Sequence, residues 1–302
     1  MSIIRRAVSL ARWGAVALAL QPAVAQAQSE RLCWQRTDNH LCEFVMTAPQ
    51  DVTGILRYPI DNPERTLGAL ALTGGLILLD RQLTEFHQER VEAAFSDFAL
   101  PRLPWDRQLR RLGLASEDTW LLTGLAATYA YGRVTGRERE QRAALLSGEA
   151  IFYSYLTTQV VLKTAFARNR PYGSLRDGPG RRDGCRTDNP FDFFNFSGVR
   201  FGPEMCGTAF PSYHFTQNFA VARVLSGLYD DSWVPYGGAL ALSASNIRGH
   251  RHWVSDMVAG SLLGLAIGEV VLRNSDDFRS RSIDVTPTVT RDSMGVYLST
   301  KF

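Results

Sequence analysis

The hydrophobic residues of this chain recur with a helical period between residues 62 and 273. Apolar side chains return three and four positions apart, as on one face of an α-helix, and Pro or Gly interrupts the pattern between segments. The predicted helices are a run ending near Leu79, then Arg81–Phe98, Asp106–Leu114, Glu117–Thr135 and Arg137–Ala167, and three helices near residues 212–228, 233–248 and 253–273. Pro171 is expected to end the fifth of them. The pattern therefore predicts an all-α bundle.

The flanking segments lack this period. Residues 28–61 are predicted to form an irregular N-terminal segment, residues 62–275 the helical domain and residues 276–302 a C-terminal tail. The tail alternates polar and apolar residues around Pro287 and Gly295, which is typical of a short β-hairpin. Inside the domain, residues 172–208 form a loop of a length that usually has a function.

The first residues resemble a cleavable export signal. Arginines precede an apolar run of eight residues, and small residues end it near position 27, so residues 1–27 are predicted to be a signal peptide. Export to an oxidising compartment, most simply a periplasm, would allow disulfides. Four cysteines permit three pairings, and short loops favour Cys33–Cys42 and Cys185–Cys206. The spacing Cys-x-x-Cys, typical of zinc sites, is absent.

Net charge and hydropathy argue against two further classes of protein, nucleic-acid binders and integral membrane proteins. The 33 basic and 30 acidic residues give a net charge of +3, too balanced for a nucleic-acid binder that acts through bulk charge. Beyond the predicted signal peptide, the longest uncharged stretch has 16 residues, about 24 Å as a helix, whereas a bilayer core is about 30 Å thick. We therefore expect a soluble bundle, with peripheral membrane contact as an additional option.

Lys163 and Arg170 form the first candidate site. They lie seven positions apart, about two turns on nearly one face of the predicted helix, directly before Pro171. Two cations at a helix end can clamp an anion, although a solvated basic helix end has the same sequence. Lys163 draws attention because the chain has only one other lysine, Lys301.

The second candidate site lies at Pro211-Ser212-Tyr213-His214, directly before a helical pattern. Free backbone N–H groups and the positive dipole end at a helix N-terminus attract phosphate, and His214 would lie beside that anion. A serine N-cap followed by a surface histidine fits the same residues.

The third candidate is the pair His252 and Asp256, four residues apart. The carboxylate can accept the Nδ1–H of the imidazole and leave Nε2 free as a base or nucleophile. Such pairs also occur simply as surface contacts. Zinc binding by His250 and His252 is disfavoured, because residues two apart face different sides of a helix.

In order along the chain, the motifs Lys-x6-Arg-Pro, Pro-Ser-x-His and Ser-x6-His-x3-Asp resemble the signature of the type 2 phosphatidic acid phosphatase and haloperoxidase (PAP2) superfamily. The match covers residues 163–256. The resemblance implies a helical bundle of the PAP2/haloperoxidase type and a metal-independent phosphatase without a cofactor. Its substrate would be a phosphorylated lipid or small molecule.

The resemblance also implies a role for each matching residue. His252 would attack phosphorus to form a phosphohistidine, Asp256 would orient it, and His214 would protonate the leaving oxygen and later activate water. The phosphoryl oxygens would be held by Lys163, Arg170, Ser212 and the backbone at Tyr213. This combination of positioning and cationic charge is what phosphoryl transfer requires.

Two positions depart from the family pattern. Tyr213 stands where the family has Gly, and Asn246 stands where it has Arg. Arg248 is the nearby cation expected to replace that Arg in holding phosphate. The departures also fit a non-catalytic relative that binds a phosphate-bearing ligand, while the remaining branch of the family would be a vanadate-dependent haloperoxidase.

The loop carries an aromatic cluster at Phe191–Phe196. It fits either a lid or acyl-chain contact for a lipid phosphate, or a small packed core under the Cys185–Cys206 loop.

Overall fold

A computed structural model of the protein describes residues 40–111, 113–180, 184–196, 198–201, 206–245, 247, 251–281, 283–289 and 294–300, with side chains described between residues 43 and 280 of these ranges. The main helices are α1 (His40–Asp61), α2 (Pro63–Phe86), α3 (Asp106–Arg110), α4 (Ser116–Thr135), α5 (Glu138–Ser154), α6 (Tyr213–Leu228), α7 (Val234–Ala244) and α8 (Val254–Arg281). π-helical turns extend α2 through His87–Val91 to Ala94, and α5 through Tyr155–Leu162 to Phe166.

The predicted mostly helical fold is confirmed. The helices pack within residues 51–273, one of the two compact units of the chain. Its main core joins α5, α6 and α8 through the buried side chains Leu146, Ala150, Tyr153, Ala220, Val224, Ile267, Val271 and Leu272. Each fully buried aliphatic side chain contributes about 1.5–3 kcal/mol. The core therefore fixes the two helices that begin with motif residues, α6 and α8, against α5.

The predicted break near Leu79 is wrong, because α2 runs through Asp80 to Phe86. A charged residue after an apolar run usually marks a helix end, but Asp80 is fully buried inside the helix. Its carboxylate accepts hydrogen bonds from Ser255 and Arg168. The charge is thus compensated in the interior and does not mark a boundary. The helix predicted at Asp106–Leu114 is also shorter than expected and ends at Arg110.

The predicted irregular N-terminal segment is wrong for residues 40–61, which form α1. Pro49 and Pro59 lie within this helix, although proline usually interrupts one. The burial pattern also misleads, because polar residues of α1 are buried while apolar ones such as Leu56 and Ile60 are 73% exposed. The segment does have an apolar face at helical spacing, but the structure leaves much of that face exposed and buries polar residues of the opposite one.

Three glycines bring the start of α8 against the start of α6. A Cβ atom would lie 2.5 Å from the Ser212 carbonyl oxygen at Gly260, and 2.2 Å from the Thr216 carbonyl oxygen at Gly264. At Gly268 it would lie 2.5 Å from the next carbonyl in line, that of Ala220. Only glycine permits this backbone approach. The two helices that carry the second and third motifs therefore meet at their N-termini.

The π-helical stretch after α5 changes which side chains point inward. In a continuous α-helix, Val161 would share the face of buried Ser154 two turns earlier, and Lys163 would lie on the opposite face. The structure has the reverse, with Val161 58% exposed and Lys163 2% exposed. The wider turns between them thus rotate Lys163 into the interior.

The loop after the extended α5 is held by strand pairing and by a disulfide bond. Two-residue strands β1 (Arg170–Pro171) and β2 (Arg186–Thr187) pair in parallel, and the predicted disulfide Cys185–Cys206 is confirmed mid-chain. Cys33 and the side chain of Cys42 lie outside the described residues, so their pairing stays a prediction. The packed-core interpretation of the aromatic cluster is supported for one residue, and a lid or acyl-chain contact stays a prediction. Phe193 packs against Phe166 and Phe210, whereas other phenylalanines of the loop are exposed.

The second compact unit comprises the described parts of residues 40–50 and 274–300. Within it, the Glu43 carboxylate accepts hydrogen bonds from Ser275 and from Arg279, the latter at 3.1 Å. The predicted C-terminal hairpin is also found, since β3 (Ile283–Val289) and β4 (Met294–Thr300) pair antiparallel.

One described stretch, Val254–Ser280 in α8, meets the length and composition of a membrane-spanning helix, with a mean hydropathy of 1.6. Within its most apolar window, 44% is buried inside the protein. Core helices of soluble bundles share these properties.

Candidate active site

Lys163 occupies the last helical turn of the extended α5 and is buried. Its Nζ donates a hydrogen bond to the neutral Gln159 Oε1 at 2.8 Å. Burial, followed by the nearby charge of Arg170, lowers the pKa of Lys163 well below its usual value, while Asp256 opposes the shift. A bound anion at this position would stabilise the charged ammonium.

The prediction that Lys163 and Arg170 share one helix face is wrong. The helix ends at Phe166, before Pro171 can act, because Ala167 adopts a left-handed conformation with φ 42°. Ala167 packs against Gly207, where a Cβ atom would lie only 3.0 Å from the Ala167 carbonyl oxygen. The chain then leaves the helix axis, and Arg170 lies in β1.

Arg170 still belongs to the same site as Lys163. Its Nη2 donates to the Thr208 carbonyl oxygen at 3.3 Å, and its charge acts on both Lys163 and Asp256. Burial lowers the pKa of Arg170 to about 10, so it stays cationic at neutral pH. The two cations converge from a helix and a loop.

Ser212 lies directly before α6, as predicted. Its backbone N–H donates to the Asp256 carbonyl oxygen at 2.9 Å. An ordinary serine cap would accept a hydrogen bond from the first helical turn, but the Ser212 hydroxyl makes no such bond. This Oγ is buried and has no hydrogen-bond partner within the described residues. The hydroxyl is thus available to a ligand.

His214 lies in the first turn of α6, against the start of α4. Its Nε2 is 3.4 Å from Asp118 Oδ2 and 3.8 Å from Glu117 Oε1. Burial alone would raise the pKa of Asp118, but hydrogen bonds and charge from His214, with Gln217, lower it to about 2. Asp118 is therefore a carboxylate at any ordinary pH, and its negative charge faces the His214 ring. No signal in the sequence indicates this partner, because acidic residues in a first helical turn are common.

His252 and Asp256 meet as predicted, at the start of α8. The His252 Nδ1 lies 3.4 Å from Asp256 Oδ2, with side chains 2% and 0% exposed. The same oxygen accepts the Trp253 backbone N–H at 2.9 Å, which is the geometry of a capping residue. Burial raises the pKa of Asp256 to about 6; Arg168 opposes the rise and Asp80 adds to it. The surface-pair interpretation is therefore wrong for these two residues.

Tyr213 places its ring beside two others. It lies 5.4 Å from the His214 ring and 5.9 Å from the Tyr155 ring. Burial raises the pKa of its hydroxyl. Asn246 and Arg248, and His250 with them, lie outside the described residues, so phosphate binding by the first two stays a prediction.

A cavity of about 290 Å³ lies on one side of Arg251, the neighbour of His252. Its other lining residues are Glu85, Gln88, Glu89, Glu92, Gly173, Ser174 and Arg176. Three glutamates would repel a phosphate dianion, so this cavity does not fit a phosphate-binding pocket.

The family comparison agrees with the geometry. Residues 143–280 match the family model of the PAP2 superfamily. The matched range includes every described residue of the three motifs. Comparison with curated proteins and with solved structures gave no match. A match to this family implies phosphatase-type activity on phosphate esters.

Proposed function

We propose that the protein is an exported, metal-independent phosphatase that hydrolyses a lipid phosphate or small organic phosphomonoester through a phosphohistidine on His252. The observation that carries this proposal is Lys163, a buried cation whose hydrogen bond goes to a neutral amide. A buried charge is costly unless an anion compensates it. Arg170 adds a second cation, and the Ser212 hydroxyl adds an unpaired donor. This set fits a phosphoryl group.

The two histidines divide the chemistry in this proposal. Neutral His252 attacks phosphorus through Nε2 while Asp256 accepts its Nδ1–H. The bond from phosphorus to the ester oxygen breaks, and that oxygen takes a proton from His214. Water then attacks the phosphohistidine, gives a proton to His214 and releases inorganic phosphate with free His252. Lys163 and Arg170 stabilise the charge that spreads over the phosphoryl oxygens.

The exposed apolar surface supports a lipid-borne substrate and peripheral membrane contact. The loop beside the site exposes Phe191, Phe194, Phe196 and Phe201 by 55–66%. On α2, Leu67, Leu70 and Leu78 are exposed by 64–69%, and the same helix carries Asp80, which contacts Arg168 behind the site. Exposed aromatic and aliphatic side chains of this kind favour contact with acyl chains at a membrane surface.

A phosphate-release screen tests the proposed activity. Mature protein is supplied with phosphatidate, lysophosphatidate, polyprenyl pyrophosphate and p-nitrophenyl phosphate, with EDTA and with vanadate. We expect turnover that vanadate inhibits and EDTA does not. Strong inhibition by EDTA would contradict the metal-independent mechanism. Vanadate or phosphate binding without turnover would identify a non-catalytic relative, and bromide oxidation with vanadate and peroxide would identify a haloperoxidase.

A paired substitution tests the lipid preference. The double variant Phe194→Ser/Phe196→Ser should lose activity towards phosphatidate in vesicles and retain activity towards p-nitrophenyl phosphate. Trp233, which is 76% exposed, gives the control variant Trp233→Ser. Equal loss on both substrates would show that the phenylalanines serve the loop structure and not lipid contact.

A further inference from the structure

Arg168 is fully buried, and every nitrogen of its guanidinium group makes a hydrogen bond. Nη1 donates to Asp256 Oδ1 at 2.6 Å and to Ser255 Oγ at 2.8 Å. Nη2 donates to Asp80 Oδ2 at 2.7 Å and to the Pro190 carbonyl oxygen at 2.5 Å. Nε also donates to Pro190, at 3.0 Å. The guanidinium thus joins α2, α8 and the loop.

Two aromatic rings hold this guanidinium in one plane. Its central carbon lies 4.7 Å from the centre of the Phe193 ring and 5.1 Å from that of Trp253. Trp253 is itself fixed, because its indole N–H donates to the Asn169 carbonyl oxygen at 3.0 Å. Cation–π contact with two rings favours Arg over Lys and prevents the fork from turning.

The fixed fork determines the orientation of Asp256. Oδ1 of this carboxylate bonds Arg168, whereas Oδ2 bonds the Trp253 N–H and faces His252 Nδ1. Rotation of the carboxylate would break the short contact to Arg168. We infer that Arg168 is a positioning residue, which orients the Asp256 carboxylate and thereby the imidazole of His252. The inference rests on the proposed phosphohistidine chemistry.

Asp80 completes the arrangement from α2. It accepts hydrogen bonds from Arg168, from the Ser255 hydroxyl and from the Ser255 N–H, the last at 2.9 Å. It therefore ties the fork to the first turn of α8. The groups that act on Asp256 are then two positive side chains from the phosphate site, Lys163 and Arg170, together with Arg168, Asp80 and His252.

The charges of Arg168 and Asp80 act on Asp256 in opposite directions. Arg168 favours the Asp256 carboxylate and Asp80 disfavours it. Without Arg168, burial and repulsion by Asp80 would keep Asp256 protonated to higher pH, and a protonated acid does not hold the Nδ1–H of His252. Without the Asp80 charge, the carboxylate would form at lower pH. A purely structural role predicts no such opposition.

The test is the pH dependence of kcat/KM for p-nitrophenyl phosphate in three variants. Arg168→Gln should lower kcat by about 100-fold and move the acid limb upward by about 1 pH unit or more. Asp80→Asn should move that limb downward. Arg168→Lys keeps the charge but loses the fork, so we expect reduced kcat with a smaller shift. An unshifted limb in both Arg168→Gln and Asp80→Asn, with an active wild type, would overturn the inference.

Arg200 provides a matched control. It is also fully buried, but its described hydrogen bonds reach the carbonyl oxygens of Gly198 and Asn195. Arg200→Gln should reduce stability and leave the acid limb unchanged, whereas an equal shift in this variant would show that any buried arginine has the effect.

A second readout does not depend on activity. The readout is ¹⁵N NMR of the imidazole at neutral pH. In the wild type, His252 should carry its proton on Nδ1. This preference should be lost in Arg168→Gln or, if that variant does not fold, in Arg168→Lys. An inactive wild type would overturn the proposed function alone. An unchanged tautomer in the variant would overturn the role of Arg168.

Discussion

The domain contains two histidine–aspartate pairs with the same 3.4 Å separation and different surroundings. In one pair, His252 and Asp256 are 2% and 0% exposed, and burial raises the pKa of Asp256 to about 6. In the other, His214 and Asp118 are 15% and 7% exposed, and the pKa of Asp118 is lowered to about 2. Distance alone does not distinguish them.

The two carboxylates differ in the groups that contact them. Asp256 shares Arg168 with Asp80, so two buried carboxylates compete for one guanidinium. Asp118 instead accepts hydrogen bonds from Gln217 and from the Ala115 N–H, and it faces His214 as a full charge. A carboxylate with a lowered pKa stabilises a neighbouring imidazolium, as a general acid requires. A carboxylate with a raised pKa stabilises the imidazolium less, which suits a neutral nucleophile. The environment thus shifts the pKa values of the two carboxylates in opposite directions.

The largest expected effect comes from removing the proposed nucleophile, His252. His252→Ala should lower kcat by about 10⁴-fold or more, and no phosphoenzyme should form from labelled substrate in a rapid acid quench. The neighbouring variant His250→Ala should keep most activity. Phosphoenzyme in His252→Ala, or equal loss in both variants, would remove His252 from this role.

The next largest effects on kcat should come from neutralising each carboxylate in turn, and they should differ between the two pairs. Asp256→Asn should lower kcat by about 10³–10⁴-fold on every substrate, since it disturbs the tautomer of the nucleophile. Asp118→Asn should cost about 10–100-fold on an alkyl phosphate and much less on p-nitrophenyl phosphate, whose leaving group needs little protonation. Kinetics on the two substrates check this. The same substrate dependence in both variants would mean that the pairs do not have separate roles.

The pH profile should show a smaller effect. Asp256 must be ionised, and its pKa is raised to about 6, so kcat/KM should fall as pH drops through 6, by about tenfold per unit. Asp118, with a pKa of about 2, is ionised throughout pH 4–9, so Asp118→Asn should keep this acid limb. Substrate ionisation is common to all variants and cancels in the comparison. Loss of the acid limb in Asp118→Asn would assign that limb to Asp118 instead of Asp256.

The smallest expected effect concerns Tyr213, whose ring lies beside the rings of His214 and Tyr155. Tyr213→Gly restores the residue of the family pattern and should lower KM for a bulky phosphate ester a few-fold, with kcat little changed. Tyr213→Ala removes the ring without adding the backbone freedom of glycine. Similar KM values in both variants would assign the effect to the ring. A large loss of kcat would instead show that the ring holds His214.

Much of this arrangement could be predicted from the sequence. Helical periodicity gave α4 and α6 almost to the residue, and the i,i+4 spacing gave the contact of His252 with Asp256. These features depend on local geometry, which a single segment determines. Arg170 shows where this fails, because no local signal indicates that Ala167 turns left-handed against Gly207.

The supporting residues were missed for a different reason. Asp80 looked like a helix end, Asp118 like an ordinary first turn, and Arg168 like one of many arginines. Each of them has a partner that is 88 or more positions away in the chain. Arg168 bonds both Asp80 and Asp256, and Asp118 faces His214. Such long-range pairing exists only in the folded chain. An isolated charge at the end of an apolar run is the one signal that could have indicated a buried network.

The π-helical stretch Tyr155–Leu162 has a consequence for how this segment can vary in length. Each residue of an α-helix turns the side chains that follow by about 100°. Deleting one residue between Ser154 and Lys163 would therefore rotate the lysine out of the interior, even with every motif residue retained. Substitutions at exposed positions such as Val161 keep the spacing and should be tolerated. The number of residues in this stretch, more than their identity, keeps Lys163 facing the site.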